Sequence, residues 1–488
     1  MLRRTATAAR SVPTPLALLL GLALVLGLGW SLATAPLQGF DESEHAAYAV
    51  HLAHTGEPPS PSEGDARMPP GEALAWDSFG LRRMLQNPAV RPPWRDRDAD
   101  LFAQAEDRVL DARGVSAPGP NPLAKNPPLY YAYTGAVARA TPGGFRADLA
   151  AMRMASVLLL VATVAVAWLV AAEIFPRTLP RTVTAGVVAL HPMAGQIAGI
   201  VNTDALLMLV GTTTLWLAVR ALRRDPDVRG LLTLGLAGGA ALLTHGRGLP
   251  IAAFAALVLA GVVVRHRAGG RAVLRSAGAG FAGLAGAAAA YVVYVRATGG
   301  GALYGGEAQF DAIEPSLRQF VSLVWQFYLP PLASMSPRIG PDYGFGQFWV
   351  DSGFAVFGSN EVFLSAAVRD AIRLALVGGF VALLGLLVRR WERMARAPWV
   401  ALTVVTYALA VVGFLHVASY RALLGGVPDP LITGRYLLPI AAVLGLGAAT
   451  LTDQLPRRVG PVVGGIVLFG LLALSTAGIG QTLLRTYV

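Results

Sequence analysis

The sequence predicts an all-α polytopic membrane protein of about eleven transmembrane helices with two long extracytoplasmic loops. Three observations predict it. The composition is 54% hydrophobic and 14% charged over 488 residues, against roughly 25% charged in a soluble domain. Apolar runs of spanning or near-spanning length recur from one end of the chain to the other. Alternating those runs across a bilayer collects arginines on one side, the arrangement that orients spans in a membrane. The formal charge of +11 is thereby explained by the membrane, and no nucleic-acid partner is expected. Cysteine is absent, which excludes a disulfide framework and thiolate chemistry. A metal would need carboxylate or imidazole ligands.

The first run, about Pro15–Thr34, follows Arg3, Arg4 and Arg10. It is longer than the 7–15-residue core of a signal peptide, and Ala33-Thr34-Ala35 is a weak cleavage pattern, so 1–34 reads as a cytoplasmic N-terminus and a retained span. Residues 35–153 form the first extracytoplasmic loop. Spans two to seven, within 154–295, are expected near 154–174, 182–201, 204–222, 230–245, 249–265 and 273–295. A second long loop covers 296–362, and 363–488 carries four more spans near 363–388, 399–418, 436–453 and 460–482. This alternation places Arg177, Arg181, Arg220, Arg223, Arg224, Arg229, Arg265, Arg267, Arg271, Arg275, Arg389, Arg390, Arg393, Arg396, Arg457 and Arg458 inside. Each long loop contains a short apolar helix, Pro127–Ala138 and Leu317–Leu329, suited to lying in the interface.

The polar residues at the outer span ends carry the candidate chemistry. Gly39 breaks the chain after the first span, Asp41 stands where a helix can be capped, and a helix over Glu42–His54 puts Asp41, Glu42 and His45 within reach of one side. That trio suits a general base, a divalent-cation site at Asp41 and Glu42, or simply a cap with solvated acids. Lys125 precedes Asn126-Pro127-Pro128-Leu129-Tyr130-Tyr131, where the prolines open an interfacial helix. It is either a ligand for a lipid phosphate or an interfacial anchor. Arg153 at the second span is either a forked phosphate ligand or a snorkelling side chain. Asp204, in the tight turn Asn202-Thr203-Asp204, either caps a helix or faces the site with Asp41. His245 and Arg247 share another tight outer turn, and Arg435-Tyr436 opens a later span. Arginine at outer span ends runs against the topology rule, and an anionic lipid-linked substrate supplies a reason for Arg153, Arg247 and Arg435 together. Aromatics in the second loop (Tyr304, Phe310, Trp325, Phe327, Tyr328, Tyr343, Phe345, Phe348, Trp349) suit sugar rings and lipid tails, or an interfacial belt.

In order along the chain, Asp41-Glu42-x-x-His45, the Asn-Pro-Pro-Leu-Tyr-Tyr run, Arg153, Asn202-x-Asp204-Ala205-Leu206 and Gly434-Arg435-Tyr436-Leu437-Leu438-Pro439 resemble membrane glycosyltransferases of the GT-C superfamily. The resemblance is to a bacterial branch related to protein O-mannosyltransferases and to aminoarabinose and arabinofuranosyl transferases. It implies a GT-C-like fold in the bacterial plasma membrane and an extracytoplasmic site. It also implies a polyprenyl-phosphate-linked sugar donor, a glycan or glycolipid acceptor and, in some members, a divalent cation such as Mg, Mn or Ca. Carried over by position, Asp41 is the base, with Glu42 and His45 beside it and Asp204 as the later acid. Lys125, Arg153, Arg247 and Arg435 are the candidates for the donor phosphate. Tyr130, Asn202, His245 and Tyr436 are the candidates for other substrate contacts. Ser43-Glu44 departs from the Pro-Ala often found between the acid and the His, and Asn126 offsets Lys125 from the proline pair.

Two other classes compete. A transporter or flippase of a lipid-linked sugar calls for ionisable residues near the bilayer midplane and for repeats, whereas most ionisable residues here sit at span ends. A non-catalytic membrane scaffold is the other alternative, and the Asp41-Glu42 pair with Arg153 and Arg435 argues against it.

Overall fold

The computed structural model describes residues 12–59, 78, 80, 83–84, 87–91, 96–110, 121, 123–298, 314–335, 344–390, 392, 398–425 and 432–488. Arg3, Arg4, Arg10, Arg393, Arg396, Tyr304, Phe310 and Tyr343 lie outside the described residues. The described chain is almost entirely helical. In order it forms α1 (Thr14–Ala33), α2 (Glu42–Thr55), α3 (Asp96–Leu110), α4 (Leu129–Ala140), α5 (Phe145–Ile174), α6 (Thr178–Leu190), α7 (Pro192–Ala198) and α8 (Asp204–Arg223). It continues with α9 (Val228–Thr244), α10 (Leu249–Arg265), α11 (Gly270–Thr298), α12 (Leu317–Tyr328), α13 (Ala366–Arg389), α14 (Pro398–Leu424), α15 (Ala441–Gln454) and α16 (Val459–Tyr487).

Nine helices among the described residues are long and apolar enough to cross a membrane, and each coincides with an expected span. The two remaining expected spans take other forms. The run 182–201 is broken into α6 and α7 at His191-Pro192, because proline has no N–H to continue the ladder. The run 230–245 is α9, an apolar helix of 17 residues. Both expected interfacial helices form, as α4 and α12. The chain is thus an all-α multi-span membrane protein.

Two apolar cores hold the helices. One joins α1, α2, α4, α5 and α7 through Trp30, Tyr48, Tyr130, Met152, Leu160 and Ile197. The other joins α8, α9, α10, α11, α14 and α15 through Leu215, Leu231, Phe254, Val262, Val273, Tyr407 and Leu446. No residue of α13 is buried, so its leucines and valines are left to lipid. Between α12 and α13 the chain makes a π-helical turn over Gly346–Asp351, a short helix Ser352–Phe354, and a two-stranded antiparallel hairpin, β1 (Val356–Phe357) with β2 (Val362–Phe363). Val356 pairs with Phe363 and Phe357 with Val362. The hairpin packs on the end of α1, with Trp30 and Phe357 ring centroids 4.9 Å apart. Ser359 Oγ donates to the carbonyl of Gly39 at 3.2 Å, so the second loop rests on the turn that leads into α2.

Candidate active site

The turn between α1 and α2 is built around a buried ion pair. Glu42 is 0% exposed and Arg153, on α5, is 5% exposed. Arg153 Nε donates to Glu42 Oε1 and Nη2 to Glu42 Oε2, both at 2.7 Å. Its other donors close on the C-terminal end of α1: Nη1 on the carbonyls of Ser31 (2.7 Å) and Thr34 (2.8 Å), Nη2 on that of Ala35 (3.0 Å). A guanidinium has five N–H groups, and all five are engaged. Glu42 accepts in addition from the backbone N–H of Val201 at 3.1 Å and of Gly39 at 3.4 Å. The pair therefore ties α1, α2, α5 and the turn before α8 together.

This arrangement corrects two expectations. Arg153 has no donor left for a lipid phosphate, and Glu42 has no lone pair facing a base or metal role. Both are internal struts of the site.

The strut leaves Asp41 turned the other way. Asp41 sits at the start of α2 with φ 53°, and its side chain makes no capping bond. Left-handed backbone is tolerated by Asp better than by most residues and is a local strain. Close packing requires the turn to be thin: a Cβ on Gly39 would lie 2.7 Å from Ile200. Half of the Asp41 side chain is exposed, and Arg435 Nη2 donates to its Oδ2 at 2.8 Å. Burial alone would raise the Asp41 carboxyl, but the Arg435 charge and hydrogen bond outweigh it and hold the group below the ordinary carboxylate range.

Arg435 comes from 394 residues away. It lies in the 3-10 turn Gly434–Ile440 before α15. Gly434 donates its N–H to Ser352 Oγ at 2.7 Å, and its Cα faces the backbone of Trp349 and Gly353 so closely that a Cβ would collide with both. The Arg435 guanidinium stands 4.6 Å over the Phe40 ring and 5.1 Å from the Tyr436 ring. It is 8% exposed, yet its Nε and Nη1 have no hydrogen-bond partner.

A second acid–arginine pair flanks Tyr436. Arg247 Nη1 lies 2.7 Å from Asp204 Oδ1, and the Arg247 guanidinium stacks 3.9 Å over the Tyr436 ring. Asp204 is 1% exposed and opens α8 without capping it; neither carboxylate oxygen meets hydrogen-bond geometry. The turn is fixed by His245, whose Nδ1 accepts from the Arg247 backbone N–H at 3.0 Å. Burial first, and then the Arg247 charge, push the His245 imidazole well below its usual value, so it is neutral. Asp41, Arg435, Phe40, Tyr436, Arg247 and Asp204 thus form one cluster from four separate stretches of chain.

The remaining candidates fall outside this contact set. His45 points inward, with Nδ1 2.8 Å from Tyr131 Oη, and is 3% exposed. Burial lowers its pKa to about 3, with Arg435 and Arg247 acting in the same direction, so it carries no charge at neutral pH. Tyr130 and Asn202 are corrected to structural roles. Tyr130 Oη is shared between Ser156 Oγ (2.7 Å) and the Asn202 N–H (2.8 Å) with no exposure. Asn202 Nδ2 donates to the Phe40 carbonyl at 2.9 Å, and its Oδ1 accepts from the Asp204 N–H at 2.9 Å. These bonds align the Asp41 turn with the Asp204 turn rather than offering groups to a substrate. Lys125 is half-buried and makes no hydrogen bond or ion pair among the described residues. Among the described residues no group of three or more His, Asp or Glu side chains could hold a metal ion. With Glu42 fully engaged, Asp41 and Glu42 do not fit a divalent cation.

Phe40 and the backbone contact at Gly434 were not singled out from sequence. Phe40 adjoins Asp41, but nothing local marks it as a guanidinium platform.

The fold and this cluster define a class: a multi-span membrane protein with a charge-paired polar cluster at one end of its helices. Over residues 24–325 the sequence matches the family described as predicted membrane protein (DUF2142), and the chain belongs to that family. No curated protein matches the chain. Among solved structures it is similar to ArnT from Cupriavidus metallidurans in the apo state, with 16% identity and a TM-score of 0.49, over 93% of this chain and 62% of that one. It is similar to the same protein bound to undecaprenyl phosphate, with 17% identity and a TM-score of 0.46, over 94% and 64%. It is also similar to the apo oligosaccharyltransferase of Archaeoglobus fulgidus, with 10% identity and a TM-score of 0.47, over 96% and 56%. The chain spans less than two thirds of the length of each.

Proposed function

We propose that the protein is an integral membrane glycosyltransferase that moves a sugar from a polyprenyl-phosphate donor to a hydroxyl of a glycan or glycolipid acceptor. In this reading the Asp41 end faces the extracytoplasmic side of a bacterial plasma membrane. One observation carries it: Arg435 is nine-tenths buried, has two orphan donors, and shares its third nitrogen with the exposed carboxylate of Asp41. Buried unpaired donors are rare in native structures and ask for a ligand. Guanidinium at a span end matches a phosphate monoester or diester that cannot leave the interface.

The chemistry then divides between the two ends of the Asp41–Arg435 pair. Asp41 takes the proton of the acceptor hydroxyl, whose oxygen attacks the anomeric carbon. The bond from that carbon to the phosphate oxygen breaks, and the electron pair leaves with the lipid phosphate. Arg435, with Arg247 also stacked on Tyr436, stabilises the charge that builds there, so no acid is needed for the leaving group. Before the donor arrives, Asp41 is a weakened base because Arg435 holds its oxygen. A phosphate that competes for Arg435 restores its basicity at the moment it is needed.

The test is transfer from radiolabelled polyprenyl-phosphate sugars by the purified protein in lipid, wild type against Asp41→Asn. Turnover should fall by about 10²–10⁴-fold while the donor still binds, the range for loss of a general base. Equal turnover in both would remove Asp41 from the role. Binding of every donor without turnover in the wild type would favour a flippase.

A further inference from the structure

The end of the molecule opposite the site carries a cluster of exposed arginines. Asp204 and Arg247 open α8 and α10 at the site end, and these helices finish at Arg223 and Arg265. Helices of 20 and 17 residues put those ends ~25–30 Å away. There α8, α9, α10 and α11 converge: Leu222, Leu231, Val262 and Val273, one from each, lie in the same buried cluster. The backbones of α9 and α11 approach so closely that a Cβ on Gly235 would collide with the Gly280 carbonyl. The ends are therefore held in one rigid crown.

Eight arginines decorate it. Arg220 and Arg224 are accounted for by Glu173, which Arg224 Nη2 meets at 2.8 Å and Arg220 Nη1 at 3.5 Å. The other six, Arg223, Arg229, Arg265, Arg267, Arg271 and Arg275, are exposed and have no hydrogen bond or ion pair among the described residues. The remaining nearby acids offer little. Asp227 accepts from the Gly230 N–H at 2.8 Å to cap α9, and Asp225 is exposed. Some of these cations are also placed at a cost. Arg271 and Arg275 stand four apart on the first turns of α11, a like-charge spacing that destabilises a helix, and they sit at its positive end. Simple sidedness does not require that spacing; a bound anion relieves it.

The helices below the crown run through hydrocarbon, so the guanidiniums lie at the level of lipid headgroups. We propose that this crown is a binding site for an anionic phospholipid, whose phosphate is held between the α8–α9 and α10–α11 turns by Arg229, Arg265, Arg271 and Arg275. Basic surface next to a span attracts anionic lipid and discriminates against zwitterionic lipid.

The full-length protein in detergent would be titrated with phosphatidylglycerol or phosphatidylcholine and read by native mass spectrometry for retained lipid. The wild type should retain phosphatidylglycerol and release phosphatidylcholine. The triple variant Arg265→Gln, Arg271→Gln, Arg275→Gln should bind phosphatidylglycerol more weakly, on the order of 100-fold. A variant with the same residues changed to Lys should keep most of the affinity, which shows that the fold survives substitution there. Arg389→Gln with Arg390→Gln removes two arginines at the far end of α13 and should leave binding intact. Equal loss in that control would mean diffuse charge and would overturn the proposal. So would unchanged binding in the triple variant, or displacement of the lipid by millimolar inorganic phosphate, which would mark a soluble-anion site.

Discussion

Replacing Arg435 with Gln separates the two jobs assigned to that residue. The side chain donates one hydrogen bond to Asp41 and has two further buried donors free for phosphate. A hydrogen bond to a charged partner is worth roughly 1.5–3 kcal/mol. Loss of two toward the donor, partly offset by a solvated Asp41, should lower kcat/KM by on the order of 10²–10³-fold. The pH dependence should move as well, in a direction the structure sets. In the wild type the Asp41 carboxyl is held below its ordinary value because Arg435 outweighs burial. Activity in kcat/KM, which reports the free enzyme, is then retained down to pH values below the usual carboxylate range and is lost as pH falls through that depressed pKa. In Arg435→Gln burial acts without its main opponent, so the acid limb should rise to higher pH. The assay is transfer from a polyprenyl-phosphate sugar across pH 3–8 with both proteins in the same lipid. A variant with an unmoved acid limb and an unchanged KM would refute the coupling of base and phosphate through Arg435.

Two further perturbations test the frame that holds the cluster. Arg153→Met should destabilise the protein by about 3–5 kcal/mol, because it leaves the fully buried Glu42 carboxylate unpaired; thermal unfolding in detergent would show it, and an unchanged midpoint would mean that water reaches the pair. Gly434→Ala should cost about 1–3 kcal/mol by overpacking against the backbone of Trp349 and Gly353, and should lower donor affinity by displacing Arg435; donor binding at wild-type strength would show that the turn can shift without the guanidinium.

The geometry also explains why the acid motif of the first loop has to be read residue by residue. Asp41 and Glu42 are neighbours in sequence with identical charge, yet one is half exposed and the other sealed. The left-handed backbone at Asp41 ends one turn and begins α2, so the two side chains leave in different directions. A helix drawn through both would put them within reach of one side with His45; in the structure Asp41 stays close enough to His45 for their charges to interact, while Glu42 turns to Arg153. The same holds for the arginines. Arg153, Arg247 and Arg435 looked equivalent at their span ends, and the difference lies in what each guanidinium already holds: five internal bonds, one buried acid, or one acid with donors to spare.

What the sequence determined by itself was the membrane class and the position of nearly every span. These follow from transfer of side chains between water and hydrocarbon, a property of each segment that needs no partner. It also marked the polar span ends at which Asp41, Asp204, Arg247 and Arg435 lie. Only the tertiary structure decided how those charges pair. Arg435 meets Asp41 across 394 residues and Arg153 meets Glu42 across 111, because the helix packing places those ends side by side. Charge attraction has no sequence register, so any of the acids was an equally good partner for any of the arginines until backbone turns at Gly39, Asp41 and Gly434 fixed which oxygen each guanidinium can reach.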